Sequence, residues 1–301
     1  MLRDRGFRRL WLATVIGGFG AQFAAFALSV TAVLVLDAGP IEVGVIAGAS
    51  QAGWLLSLPI GVWVDRWRRR RILLTVSWIR CAALVSITIA YLLGVLTVAH
   101  LAAVGLTLSV CGVFFMNAHD AFVVALVGPD RVSEARARLE VGEQAVRVTG
   151  AGLAGQLLRV LAGPLLYLVA AILDAWSALL LWRTRSTESP PSKHERDSFG
   201  TAIRSGLRLV WKHPVLRIQM TRNAVINSGA GIVSAVMPVF ILTDLGLSPA
   251  VYGLIGSAGA VGGVLSAVVS LAAMRRWGDL RVMVLAPTLL PLGAAAIPLA
   301  A

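Results

Sequence analysis

Charge is scarce in this chain. Only 14% of its 301 residues are Asp, Glu, Lys or Arg, whereas a soluble domain needs roughly 25% to cover its surface. With 57% hydrophobic residues and a mean hydropathy of +0.81, a water-soluble fold is excluded. Cysteine is scarcer still: Cys81 and Cys111 both fall inside apolar runs, which excludes a disulfide framework and leaves two small buried hydrophobes. The four histidines, His100, His119, His194 and His213, lack metal-ligand spacing and read as surface residues in loops or at helix ends. No metal site and no cofactor is expected. A phosphate-cradling G-x4-G-K-[ST] loop is missing, which argues against an ATP-driven pump within one chain. No close His/Asp/Glu or Ser/Lys constellation is visible, so the chain is not read as an enzyme.

What the chain does have is long apolar runs. A helix needs about 20 apolar residues to cross a bilayer, and nine candidates occur at 10–36, 43–63, 72–96, 101–116, 141–162, 164–182, 218–242, 250–274 and 282–301. The basic start, from Arg3 to Arg9, resembles that of a signal peptide, but the run behind it is too long for one and lacks a cleavage site. It reads as the first span. The expected fold is therefore all-α, a multi-pass transmembrane helical bundle.

The short connection from Gly61 to Arg71 carries five arginines, Arg66 and Arg68 to Arg71, beside Asp65. A loop this basic is normally held on the cytoplasmic side. Connections then alternate, and 23 of the 27 Lys and Arg residues fall on the inner set, while 37–42, 97–100, 163 and 243–249 hold none. The exceptions, Arg80, Arg147, Arg159 and Arg222, lie within predicted spans. The split predicts an inner-membrane protein with a cytoplasmic N-terminus. The net charge of +12 would suggest a nucleic-acid partner in a soluble chain. Here it reads as topology signal and affinity for anionic membrane lipid, with no nucleic acid involved.

A polar Pro/Ser-containing stretch, 183–217, divides the chain into 1–182, with six predicted spans, and 218–301, with three. Within it Phe199, Ile203, Leu207 and Val210 recur at helical spacing, predicting an amphipathic helix on the inner membrane surface. An internal repeat relates the two blocks. The stretch from Pro40 through Gly44 can be laid on that from Pro249 through Gly253 at an offset of 209, which sets the basic loop at 65–71 against 274–280. Parallel repeats of six helices build one large class of secondary transporters. By that count the second half lacks about a hundred residues, as expected of a fragment, a truncated product or a naturally incomplete repeat.

Gly61-x3-Asp65-Arg66-x-Arg68-Arg69-Arg70 resembles motif A of the major facilitator superfamily, with Arg68 standing where the motif has Gly. The stretch from Phe7 to Leu12, Asp174-Ala-Trp-Ser and the stretch from Gly206 to Pro214 are similar to the macrolide-efflux and siderophore-exporter branch. The resemblance implies that Gly61, Asp65, Arg66, Arg69 and Arg70 form a conformational latch, Asp65 capping an eleventh helix in the outward-facing state. It also implies an antiporter's Gly-Pro motif near 150–155, where Ala151 occupies the proline position. Without the family, an acidic residue among guanidiniums can bias a two-state rocking motion, or the loop can serve topology alone.

Ionisable residues within spans are the remaining candidates, since each costs at least ~2.5 kcal/mol in hydrocarbon. Asp174 is the most central carboxylate and the candidate proton carrier, or else a structural ion-pair member. Arg80 and Arg147 are its candidate partners, and Glu143 stands four residues before Arg147 in the favourable helical orientation. Gln22 with Arg222, Asn223 and Asn227 could line a substrate cavity, the two helices being related by the repeat. Gly150-Ala-Gly152-Leu-Ala-Gly155 matches G-x-G-x-x-G but lies inside a predicted span with no preceding strand. It reads instead as close packing against Gly256, Gly259, Gly262 and Gly263.

The expected function is secondary active efflux, an antiporter of the multidrug type that exchanges a small amphipathic molecule for protons across the bacterial inner membrane as a monomer. The alternative is a transport-incompetent remnant or a membrane interaction partner.

Overall fold

The computed structural model describes residues 4–64, 66–161, 163–184 and 208–277, and every regular element among them is helical. In chain order these are α1 (Arg5–Leu34), α2 (Pro40–Ala52), α3 (Ser57–Val64), α4 (Arg69–Leu92), α5 (Val98–Val127), α6 (Val132–Leu157), α7 (Gly163–Trp182), α8 (Pro214–Val239) and α9 (Pro249–Trp277). Among the described residues seven stretches are long and apolar enough to cross a membrane, with α2 and α3 forming one of them. The predicted span at 282–301 and most of the predicted amphipathic helix lie outside the described residues.

Local chemistry sets the helix boundaries. Asp4 accepts from the Gly6 amide at 2.7 Å and caps α1. Proline occupies the first position of α2, α8 and α9, where a missing N–H is no loss. The repeat survives in these starts: Arg5 to Pro214 and Pro40 to Pro249 are each separated by 209 residues. A 3-10 turn at Gly53–Leu56 divides α2 from α3, just before Pro59, whose ring cannot join an α-helical ladder to Leu55. Pro238 near the end of α8 is followed by a π turn, Phe240–Asp244, by the same conflict.

Two predicted boundaries are corrected. The span expected at 101–116 is a 30-residue helix, α5, because its polar later turns find partners inside the bundle: Asn117 donates to the Val113 carbonyl at 2.9 Å, and His119 meets Thr14 of α1. Gly128, at φ +77°, ends it in the left-handed region that only glycine enters freely. The next helix starts at Val132 rather than 141, so Arg136 and Arg138 lie on α6 and not in a loop. With six charged residues, α6 is not among the described stretches apolar enough to cross a membrane by composition alone.

Two buried apolar layers hold the bundle. One gathers Phe23, Phe26, Leu84, Ile87, Leu166 and Tyr167; the other, nearer the arginine-rich hairpin, gathers Phe7, Leu10, Leu73, Phe122 and Leu181. Many large side chains, including Ile41, Leu55 and Val160, are instead fully turned outward. In water such a surface would aggregate; in lipid it is the proper exterior. Because lipid tails are as apolar as leucine, dispersion and close approach must hold these helices together. Close approach is made at Gly53, where a Cβ would lie 2.5 Å from the Ser109 carbonyl carbon, and at Gly105, 2.5 Å from Ser50 Oγ. At Gly61, by contrast, an added Cβ would have its nearest neighbour, Asn117 Oδ1, at 3.8 Å. Gly53→Ala should therefore cost about 1–3 kcal/mol by overpacking, while Gly61→Ala leaves the melting temperature in detergent unchanged.

Candidate functional site

Between the two apolar layers lies a polar one. Along α1 the layers are interrupted at Thr14, Gly17 and Gly20, along α4 at Ser77 and Arg80, and along α7 at Asp174 and Ser177. Arg80 Nη2 lies 3.1 Å from Asp174 Oδ1, with the two side chains only 11% and 3% exposed. A charge pair this deep persists when each member compensates the other. Glycine makes the room: a Cβ on Gly20 would sit 3.0 Å from the Ala170 carbonyl oxygen and 3.4 Å from Asp174 Oδ1. A Cβ on Gly17 would meet Ser177 Oγ at 3.0 Å. Ser177 itself donates to the Ala13 carbonyl at 2.8 Å, fastening α7 to α1. Asp174 Oδ2 is buried without a hydrogen-bond partner. A carboxylate with one oxygen paired and the other orphaned retains a vacant acceptor in a nearly dry setting.

Arg147 is not part of this pair. It reaches Glu140 at 2.7 Å and Glu143 at 3.9 Å along α6, with Gln144 donating to Glu140 at 2.8 Å. The four expected proton-coupling residues thus separate into a buried pair, Asp174–Arg80, and a half-exposed network around Glu143–Arg147. Glu140 was missed by the sequence, although it stands two helical turns before Arg147 on the same face. His119, expected at the surface, is buried: its Nε2 lies 2.9 Å from Thr14 Oγ1, its ring stacks on Phe115, and Asp120 Oδ1 is 4.0 Å from Nδ1. Thr14→Val would orphan that imidazole and should cost about 1–3 kcal/mol in a thermal melt.

Gln22 is half-buried on α1 against α6, where a Cβ on Gly150 would lie 2.9 Å from its own Cβ. On α8 Arg222 is half-buried, and Asn223 and Asn227 are exposed. In the basic hairpin Asp65 lies outside the described residues. Arg66 and Arg69 are half-buried, and Arg70 Nη2 donates to the Trp182 carbonyl, fastening the start of α4 to the end of α7. Positive charge against a helix C-terminus complements its dipole.

The glycine run on α6 does meet α9. A Cβ on Gly155 would lie 2.7 Å from the Pro249 carbonyl oxygen, one on Gly253 would overlap the Ala151 carbonyl, and the Gly152 amide donates to Ser257 Oγ at 2.9 Å. Phe26 of α1 stacks on Tyr252 with ring centroids 5.2 Å apart. Of the glycines expected in this seam only Gly256 has a neighbour, Ala151 Cβ at 3.2 Å; Cβ atoms on Gly259, Gly262 and Gly263 would meet nothing within 4 Å. The helices α6 and α9 therefore touch at one end and part towards the other.

Comparison with known proteins agrees with this architecture. A family model described as transmembrane secretion effector, of the major facilitator group, matches residues 1–301. The crystal structure of a bacterial homologue of the human lysosomal transporter Spinster, inward-facing and unoccupied, is similar with a TM-score of 0.68 at 14% identity over 91% of this chain and 64% of that one. An occupied inward-facing Spinster homologue gives 0.67 at 16% identity, over 92% and 62%. A bacterial homologue of the iron transporter ferroportin, also inward-facing, gives 0.64 at 21% identity, over 91% and 70%. The chain thus spans slightly less than two thirds of the length of the Spinster homologues. No curated protein sequence matches. The family model assigns the chain to a family of membrane transport proteins, and the solved structures share its fold.

Proposed function

We propose, from the premise that this chain belongs to the transmembrane secretion effector family of the major facilitator group, that it exports a small amphipathic molecule in exchange for protons. The bacterial inner membrane is its site and the arginine-rich hairpin lies on the cytoplasmic side. The carrying observation is the buried Arg80–Asp174 pair with its orphaned carboxylate oxygen, at the level where the two apolar layers separate. A proton arriving on Asp174 Oδ2 cancels the charge that holds Arg80 and so loosens α4 from α7. Loss of that proton restores the pair. A two-state bundle responds to a switch of this kind only if its two states differ in how they hold the charge.

The α6–α9 seam supports an inward-facing reading. If the hairpin end is cytoplasmic, the contact at Gly155 and Gly253 closes the opposite, outer end, and the free face of α9 from Gly259 onward borders an inward opening. The charged face of α6, with Glu140, Glu143 and Arg147 about half-exposed, is unsuited to lipid and suited to a water-filled cavity. Carboxylates there favour a substrate bearing positive charge. The test is uptake of a fluorescent amphipathic cation such as ethidium into proteoliposomes under an imposed pH gradient. Accumulation that vanishes when an ionophore collapses the gradient is expected; accumulation indifferent to the gradient removes proton coupling.

A further inference from the structure

At the end of the bundle away from the arginine-rich hairpin, α9 is tied to α1 as well as to α6. Tyr252, half-buried on α9, lays its ring on Phe26 of α1 with centroids 5.2 Å apart and planes 25° from parallel. Phe26 is buried in the apolar layer at that end, and Tyr252 packs against the same layer. One turn further along α1 the Tyr252 hydroxyl meets that of Ser29. The internal repeat gives a measure of what packing alone demands at this level. At the offset of 209, Tyr252 falls on Val43 and Phe26 on Ala235, so the repeat-related positions carry two aliphatic side chains. Filling space there calls for neither an aromatic ring nor a hydroxyl.

The contact crosses from one block of the repeat to the other, since α1 belongs to the first and α9 to the second. Beside it, α9 meets α6 through main chain and small residues, Gly155 against the Pro249 carbonyl and the Gly152 amide on Ser257. Those contacts set how near the two helices come. We propose that Tyr252 is the latch of this end: stacked on Phe26 and joined to Ser29, it holds the second block against the first, and its release lets α9 part from α1. A stacked pair favours a definite offset, and a hydroxyl that loses its partner while still shielded from water carries the full cost of desolvation. Both contacts exist only while this end is shut. An interaction made in one of two states and not in the other is what biases the balance between them. The latch requires that the two blocks rock, and nothing about protons or cargo.

The full chain, with Cys81→Ala and Cys111→Ala removing its two thiols, is spin-labelled at the exposed Leu34 of α1 and Leu254 of α9 and reconstituted in lipid. The distance distribution between the labels is measured. Tyr252→Leu, which keeps apolar bulk and loses both the stack and the hydroxyl, should raise the ratio of open to closed populations roughly 10-fold. Tyr252→Phe keeps the ring and should raise it roughly 3-fold; if the leucine variant does not fold, this milder one carries the test. Phe26→Leu should open the same end. Combined with Tyr252→Leu it should add much less than its effect alone, because the two rings act through one contact. Distances unchanged in the Tyr252 variants, or effects of the Phe26 and Tyr252 substitutions that add in full, overturn the latch. The readout uses neither a substrate nor a pH gradient, so failure of proton-driven export leaves it standing, and failure of the latch leaves export untouched.

Discussion

Asp174→Asn should abolish pH-gradient-driven transport in proteoliposomes if Asp174 carries the coupled proton, because asparagine keeps the shape of the side chain and loses the proton. The substitution also leaves Arg80 buried without its counter-charge, and breaking a buried pair from one side costs about 3–5 kcal/mol. Loss of transport by the single variant therefore has two possible causes, and a second variant separates them. Arg80→Met/Asp174→Leu replaces both charges with apolar groups of similar size and should recover most of the melting temperature, since an apolar replacement of a buried pair is often neutral or better. Transport should stay at background in that double variant. Recovery of pH-driven flux together with stability would show that the pair only holds the helices and carries no proton.

Gly253→Leu should force α6 and α9 apart at the end where they now touch. A Cβ alone would overlap the Ala151 carbonyl, a backbone atom with no rotamer to yield, and the leucine adds three more carbons. Overpacking of this kind costs typically ~1–3 kcal/mol where neighbours can adjust; against backbone the upper part of that range applies. Spin labels at the exposed Leu153 and Leu254 should report the separation as a distance increased by several ångströms over the glycine form, with transport lost because one end can no longer seal. Gly259→Leu, on the same helix but facing open space, should change neither. Similar behaviour of the two variants would disprove the seam.

The membrane-spanning character of the fold was legible because lipid imposes a minimum length of apolar run, and α1, α4, α7 and α9 follow it closely. The errors fell where tertiary partners replace solvent. Polar residues near 117–120 looked like a loop, yet the bond between His119 and Thr14 lets α5 continue through them. The charged residues before 141 looked like part of a connection, yet Glu134 and Arg138 pair at 2.9 Å one turn apart and the helix α6 runs through them. At the site, Asp174 stood out by its central position in an apolar run. Its partner did not, because Arg80 and Arg147 look alike in a string of letters, and only the packing of α4 on α7 chooses between them. Glycines were the least legible. Gly17, Gly20 and Gly53 carry close contacts and Gly61 does not, a difference set by what lies across the interface.

The polarity of α6 bears on how the protein is made. Arginine or aspartate at mid-helix opposes partitioning from the translocon into lipid by about 2.5–3.5 kcal/mol apiece, and α6 carries six charged side chains. Left to itself during synthesis, this segment is a poor candidate for release into the bilayer. It has to leave the channel in company with neighbours already inserted, and α1, whose Trp11 indole donates to the Arg138 carbonyl at 3.0 Å, waits as its receiver. Biogenesis of the first six helices is then a concerted event, and damage to α1 strands a segment far downstream of it.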